Sequence, residues 1–286
     1  MQDNMEFAVA ASGNPTNIAG NGPDDGSVVQ MDFGYEPGFK VGLGVTSNYD
    51  CWDFFAEYTW FRSTVNQSAT APNPGILSPM IGSPFVADGN AFDSASSKWH
   101  TTLDLLEGRM GRWHYVGKQL TFHPYFGLRS AWISQDWSTV FSTNTITFVA
   151  DKELKSWGMG PEVGVNTHWN FCYGFRLYGQ AEADILFTRY TTQRTFDQDI
   201  SANRTVNISQ DGNNTLRAHL DLELGFGWGT YLNCYKWYFD LAAGYGFQIF
   251  FDQNMFREYQ VAGAFSSVYG GNLYLHGLTV TAKFEF

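Results

Sequence analysis

The chain has 286 residues, with 28 acidic against 17 basic side chains and a formal charge of −11, which argues against a nucleic-acid partner. Aromatic residues make up 17% and charged residues only 16%, where a water-soluble domain carries about 25% charged residues. No run of ~18 apolar residues occurs, so no transmembrane helix is expected. Met1-Gln2-Asp3-Asn4 does not open a basic, apolar leader, so an export signal and part of a first strand are expected to lie outside this sequence.

Alternation with a period of two runs along most of the chain, and it reads as strands with one apolar and one polar face. A short, weakly patterned first strand is expected over Asn4–Ala11. The second, Val28–Val45, sets Val29, Met31, Phe33, Tyr35, Phe39, Val41, Leu43 and Val45 against Asp32, Glu36 and Lys40. Pro37 within it predicts a bulge, because proline cannot donate to the ladder. The third, Trp52–Ser63, sets Phe54, Ala56, Tyr58 and Trp60 against Asp53, Phe55 and Glu57.

In the fourth, Lys98–His114, the apolar phase passes from Trp99, Leu103 and Leu105 to Leu106, Gly108 and Met110, which predicts a bulge near Leu105. The fifth, from Leu120 to beyond Trp132, opposes Phe122, Phe126 and Leu128 to His123, Tyr125 and Arg129. The sixth, Ser156–Trp169, opposes Trp157, Met159 and Val163 to Gly158, Gly160, Glu162 and Gly164, glycines that relieve crowding on the inner face. The seventh, Phe175–Thr188, opposes Ala183, Ile185 and Phe187 to Arg176, Glu182 and Asp184. In the eighth, Leu216, Leu220, Leu222, Leu224 and Phe226 face away from Arg217, His219, Asp221 and Glu223. The ninth, Trp237–Phe251, opposes Phe239, Leu241 and Phe247 to Asp240 and Gln248. The tenth, Leu273–Phe286, opposes Leu278, Val280 and Phe284 to Lys283 and Glu285, and ends on the aromatic Phe286, read as the barrel-assembly terminus.

About ten antiparallel strands with the apolar face outward predict one all-β transmembrane barrel over residues 1–286, because hydrocarbon cannot satisfy an open sheet edge. Short turns are expected at Ser47–Cys51, Tyr115–Lys118, Asn170–Tyr173 and Leu232–Lys236, on the periplasmic side. Longer extracellular loops are expected near 12–26, 65–97, 143–152, 191–214 and 252–271, the proline-rich second of which folds into the lumen or stands outside. Tyr49, Trp52, Trp99, Trp113, Tyr115, Trp132, Trp137, Trp157, Trp169, Tyr173 and Trp237 read as two interfacial belts. The competing reading is a soluble sandwich with aromatic core faces, which rarely needs such long alternation.

The expected lumen collects Asp32, Glu36, Asp53, Glu57, Asp104, Glu107, Glu162, Glu182, Asp184, Asp221, Glu223 and Asp240 against Lys40, Arg109, Arg129, Arg176, Arg217, His219 and Lys283. Ten strands give a backbone radius of roughly 10 Å, which such side chains largely fill, leaving a charged plug or a narrow, cation-preferring pore for small solutes or ions. Cys51, Cys172 and Cys234 all fall in short turns; an odd count leaves at least one thiol free or bonded to another envelope protein.

Glu36-Pro-Gly-Phe-Lys-Val-Gly-Leu-Gly, Trp52-Asp-Phe-Phe-Ala-Glu-Tyr-Thr-Trp-Phe and Pro124-Tyr-Phe-Gly-Leu-Arg resemble the major-outer-membrane-protein-like barrels of environmental chlamydiae. Gly158-Met-Gly-Pro-Glu-Val-Gly and Gly174-Phe-Arg-Leu-Tyr-Gly-Gln-Ala resemble these and the Legionella major outer membrane protein family. The resemblance covers most of Asp32–Phe286. It implies residence in bacterial outer-membrane lipid, a porin-like or architectural role, and disulfide-linked envelopes. The chain departs from it in showing no export signal and no full first strand.

Two alternatives remain, a surface adhesin acting through the long loops and an omptin-like outer-membrane enzyme. His219 and Asp221 share a face, as a general base and its orienting carboxylate would. His114, His123 and His168 lie at the opposite end from such a rim site, and no residue is assigned as catalytic. No metal-ligand spacing or phosphate loop occurs, so no metal or cofactor is expected.

Overall fold

The structure is a computed structural model that describes residues 5–12, 26–47, 50–73, 75–81, 83, 85, 91–233, 236–260 and 265–286, with backbone alone at 258–260 and 265–269. Among the described residues every regular element is a strand. In chain order they are β1 (Glu6–Ser12), β2 (Gly26–Gln30), β3 (Gly38–Thr46), β4 (Trp52–Thr70), β5 (Gly75–Pro79), β6 (Ser94–Arg112) and β7 (His114–Tyr115). There follow β8 (Leu120–Ser142), β9 (Thr147–Asn170), β10 (Phe175–Asp199), β11 (Arg204–Gln210), β12 (Asn213–Leu232), β13 (Trp237–Gln260) and β14 (Phe265–Glu285).

Nine of these form one continuous antiparallel path, β14-β13-β12-β10-β9-β8-β6-β4-β3, with β7 beside β8 and β11 beside β10. No pairing joins β3 to β14 among the described residues, so the sheet is open between them. It is nonetheless curled. Leu103 and Leu105 of β6, Ala131 and Ile133 of β8, Leu186 of β10, Phe250 of β13 and Leu273 of β14 share one buried cluster, against which Phe61 of β4 packs. Strands from both ends of the path therefore face one another across a filled interior.

β1, β2 and β5 are not in that sheet. They form a separate three-stranded sheet, order β2-β1-β5. Phe7 and Ala8 of β1, Met31 after β2 and Leu77 of β5 pack against Trp99, Trp137, Phe141, Phe148, Leu154 and Tyr190 of the main sheet. The small sheet is a plug. Its drive is apolar burial, about 1.5–3 kcal/mol for each large side chain fully removed from water.

This corrects the expected second strand. Val28–Val45 is two strands separated by 31–37. Pro37 supplies no N–H and restricts Glu36 before it. Met31 is buried in the plug and Phe33 meets Trp99 edge-on at 5.3 Å, so these two point inward, while Tyr35 stays exposed. Of the expected first strand, Asn4 lies outside the described residues, Met5 precedes the ladder, and Glu6–Ala11 belongs to β1.

The expected bulge at Leu105 is also corrected. β6 pairs with β4 and β8 without a register shift from Ser94 to Gly111. Trp99, Leu103, Leu105 and Glu107 all point inward, while Leu106, Gly108 and Met110 point outward. Shifts occur instead at Tyr190/Thr192 and Phe250/Asn254.

Much of what was expected as loop is paired strand. β8 reaches Ser142 and β9 begins at Thr147, so 143–152 is mostly ladder, and β10 with β11 fills most of 191–214. Within 65–97, β4 continues to Thr70 and β5 joins the plug, and within 252–271 β13 and β14 continue to pair to Gln260 and Phe265. Residues 13–25 of the expected first loop lie outside the described set.

The short turns follow from local conformation: Asp50, Cys51 and Tyr173 have φ of 65°, 54° and 59°, and Gly174 has φ 82°. A Cβ on Gly174 would also approach the Gly229 carbonyl to 2.1 Å, so this turn favours glycine on two grounds.

Candidate functional site: the layered interior

The inward residues of β8 mark the interior from the short-turn end to the opposite, hairpin end. His123 comes first, then Tyr125, Arg129, Ile133, Gln135, Trp137 and Phe141, each in a different environment.

At the mouth, His123 Nε2 lies 2.8 Å from Asp53 Oδ2, with the Trp113 ring stacked on the imidazole at 4.4 Å. Nearby, Arg176 makes a two-pronged bond to Asp240, Nη2 to Oδ1 at 2.6 Å.

One step inward lies the charged layer. Arg129, 2% exposed, donates from Nη2 to Glu107 at 2.6 Å and to Glu182, and from Nη1 to Asp184 at 2.9 Å. Its Nε stands 3.2 Å from Glu162 Oε2. Arg109 reaches Glu182 at 3.0 Å and Glu107 at 3.2 Å, and the Tyr125 hydroxyl donates to Glu182. Asp184 Oδ2 also meets His219 Nδ1 at 2.7 Å. Glycine makes the room: a Cβ on Gly164 would come within 2.4 Å of the Tyr125 ring, and one on Gly42 within 2.3 Å of Phe55.

Beyond the charges, the cluster of Leu103, Ile133, Leu186, Phe250 and Leu273 spans the interior. A thin polar layer follows, in which Gln135 donates to Asn254 at 2.8 Å and Gln253 to Ser156 at 2.8 Å. The plug and its apolar core close the hairpin end.

Of the residues expected to line a lumen, Lys40, Asp53, Glu57, Arg129, Arg176, Glu182, Asp184, His219, Asp221, Glu223 and Asp240 lie on the concave side, in or beside the first two layers. Lys40 stands 3.8 Å from Glu57, Tyr178 donates to Glu223 at 2.6 Å, and Gln248 donates to Asp221. Arg217 lies further along, its Nε 3.2 Å from the Tyr190 hydroxyl. Asp32 and Glu36 sit exposed in the linker before β3, and Lys283 pairs with Glu285 at an exposed strand end. Asp104 faces outward, taking Tyr58 at 2.5 Å and Arg62 at 2.6 Å.

The apolar inner layers are what the sequence reading missed. The signal was present: Ser96, Lys98, His100 and Thr102 alternate against Trp99 and Leu103, so the polar residues of this stretch occupy the outer face.

The outer face below that stretch is a band of exposed Phe126, Leu128, Met159, Val163, Ile185, Leu222, Leu224, Leu278 and Val280. Trp60, Asp104, Trp132 and Trp157 are consecutive ladder partners along one edge of it. A band this large on a convex surface, enclosing buried charge, is the reverse of a water-soluble domain. The entire chain, residues 1–286, also matches the family model described as the Legionella pneumophila major outer membrane protein precursor.

The chain belongs to this family.

Membership places it in the bacterial outer membrane. No functionally curated protein matches it. In this setting Trp99 and Trp137, expected in interfacial belts, prove to be core residues, 3% exposed each. Trp132, Trp157, Trp169 and Trp237 stay on the outer face, and Tyr49 lies outside the described residues. The imidazole weighed as a general base is paired with Asp184 rather than Asp221, and both side chains of that pair are 0% exposed. Cys51 and Cys172 are exposed free thiols at the short-turn end, and Cys234 lies outside the described residues.

Proposed function

We propose that the chain folds as one transmembrane β-barrel that serves as an architectural component of the outer membrane, with its bore occluded. Closure runs between β3 and β14. Nine antiparallel strands give these two edges the same direction, so the closing pair is parallel, as an odd-stranded barrel requires. Along β9, Trp157 and Trp169 are twelve residues apart, which at ~3.3 Å rise and ~40° tilt is roughly 30 Å, the thickness of a bilayer core. The short-turn end then faces the periplasm and the long hairpins stand outside.

One observation carries the occluded reading: the cluster of Leu103, Ile133, Leu186, Phe250 and Leu273 across the bore. An apolar constriction excludes water and hence ions. Purified, folded protein in planar bilayers is expected to stay silent or to show steps far below those of an open porin. Large, stable ohmic steps from the wild-type chain would overturn the reading. A narrow cation path is the second reading, favoured by the carboxylate excess of the charged layer. A salt-gradient reversal potential of cationic sign would mark it.

The two exposed thiols, at one rim and facing an oxidising compartment, support cross-linking to neighbouring envelope proteins. Native membranes run without reductant are expected to show high-mass species that collapse on reduction. Identical patterns with and without reductant would remove that part of the proposal.

A further inference from the structure

The charged layer holds more carboxylate than its own cations neutralise. Glu107, Glu162, Glu182 and Asp184 bring four negative charges within reach of Arg129, and Arg109 brings the second positive charge. Two negative charges remain, and one remains even if His219 is counted as charged. Lys40 does not relieve this, since it stands against Glu57. Uncompensated charge in a water-poor interior is costly, so something of opposite sign is called for.

Glu162 says where. Its side chain is fully buried, Oε1 has no hydrogen-bond partner, and Oε2 has only the Arg129 Nε, at 3.2 Å and outside hydrogen-bonding geometry. One carboxylate oxygen each from Glu107 on β6, Glu162 on β9 and Glu182 on β10 lie within 4.8 Å of one another. A cation bound at about 2.4 Å spans oxygens up to ~4.8 Å apart, and that distance is calcium's. The donors are all oxygen, which selects a hard divalent ion over zinc or copper. Glu107 keeps its bonds to the two arginines through its remaining lone pairs. At Glu182, Oε1 already accepts from Arg109, Tyr125 and Gln180 and Oε2 accepts from Arg129 alone, so the lone pair left for an ion is on Oε2.

We propose that Glu107, Glu162 and Glu182 form a calcium site inside the sheet, with Arg129 and Arg109 holding the three carboxylates in place. Two positive charges cancel the excess of two. The site lies on the short-turn side of the apolar cluster, so the ion enters from that end.

The test uses the full chain folded in zwitterionic detergent, free of lipopolysaccharide and stripped with a chelator. Calorimetric titration with calcium chloride is expected to give one ion per chain, with magnesium weaker, and the unfolding temperature is expected to rise in calcium and fall again with chelator. Glu162→Gln is expected to weaken binding about tenfold or more. Terbium supplies a second readout: tyrosine-sensitised emission that calcium displaces and Tyr125→Phe diminishes. If Glu162→Gln fails to fold, wild-type stoichiometry and terbium emission decide. Far less than one calcium per chain at millimolar concentration, undiminished binding in folded Glu162→Gln, or terbium emission indifferent to Tyr125→Phe would each overturn the site, whatever the conductance experiment shows.

Discussion

The two halves of the long strands obey opposite rules. Toward the short turns, β9 turns Met159 and Val163 outward and Glu162 inward. Past Trp157 the same strand, with no break at that tryptophan, turns Glu153 and Lys155 outward and Ala150 and Leu154 inward. β6 does the same around Asp104, with Leu106 outward below it and Lys98 outward above. The solvent changes while the strand geometry does not. In hydrocarbon the apolar residues belong outside. In water they belong in a core, and here the plug completes that core. The change of apolar phase at Leu105 is therefore the passage of a regular strand from one medium to the other.

The largest expected effect sharpens what the membrane half encloses. Arg129→Met takes the central cation from four buried carboxylates, leaving Arg109 on Glu107 and Glu182, His219 on Asp184 and nothing on Glu162, and is expected to cost about 3–5 kcal/mol or abolish folding. Urea unfolding in detergent and the heat-dependent mobility of the folded chain measure it, and a variant as stable as wild type would mean that the layer is hydrated. Leu103→Ala, at the boundary, is expected to cost about 2–5 kcal/mol, as a cavity in a packed core does. A cost below that range would mean the cluster is loose enough to admit water.

On the outside, Val163→Arg at mid-band is expected to cost about 2–4 kcal/mol in lipid, whereas Lys98→Glu on the upper outer face is expected to stay within about 0.5 kcal/mol. Equal costs at the two positions would break the comparison outright.

The smallest effect belongs to the tip of the β10–β11 hairpin. A hydrogen bond from Arg204 and the backbone N–H of Ala202 hold Asp199 below the usual carboxylate range. A depressed folded value stabilises the tip above the unfolded value, about 4, and the gain is lost as pH falls through the folded value. Hydrogen exchange at the Ala202 amide is expected to stay slow down to about pH 4 and to quicken below it, with Asp199→Asn flattening the profile. A wild-type profile already flat to strongly acidic pH would remove this contribution.

The membrane half was legible in the chain because there the face of each residue follows from parity alone. Phe54, Val163, Leu222 and Val280 face outward as alternation places them, and Arg129, Glu182 and Asp184 face inward. The upper half was not legible in the same way, because parity gives two faces but does not say which medium each one meets. Trp99, Trp137 and Leu103 look the same whether they meet lipid or a core. Nor did Val28–Val45 announce that its first part would leave the sheet, although Pro37 marked the place.

The sequence by itself determined an all-β chain, the parity of nearly every strand and the poverty of charge that suits a membrane. Those are local properties, set by side-chain direction and composition. Only the tertiary structure decided that β1, β2 and β5 fill the interior, that an apolar layer crosses it, and that Glu107, Glu162 and Glu182 converge from three strands around Arg129. These arrangements depend on the curl of the sheet and on strand register, which bring together residues far apart in the chain, and no local pattern records them.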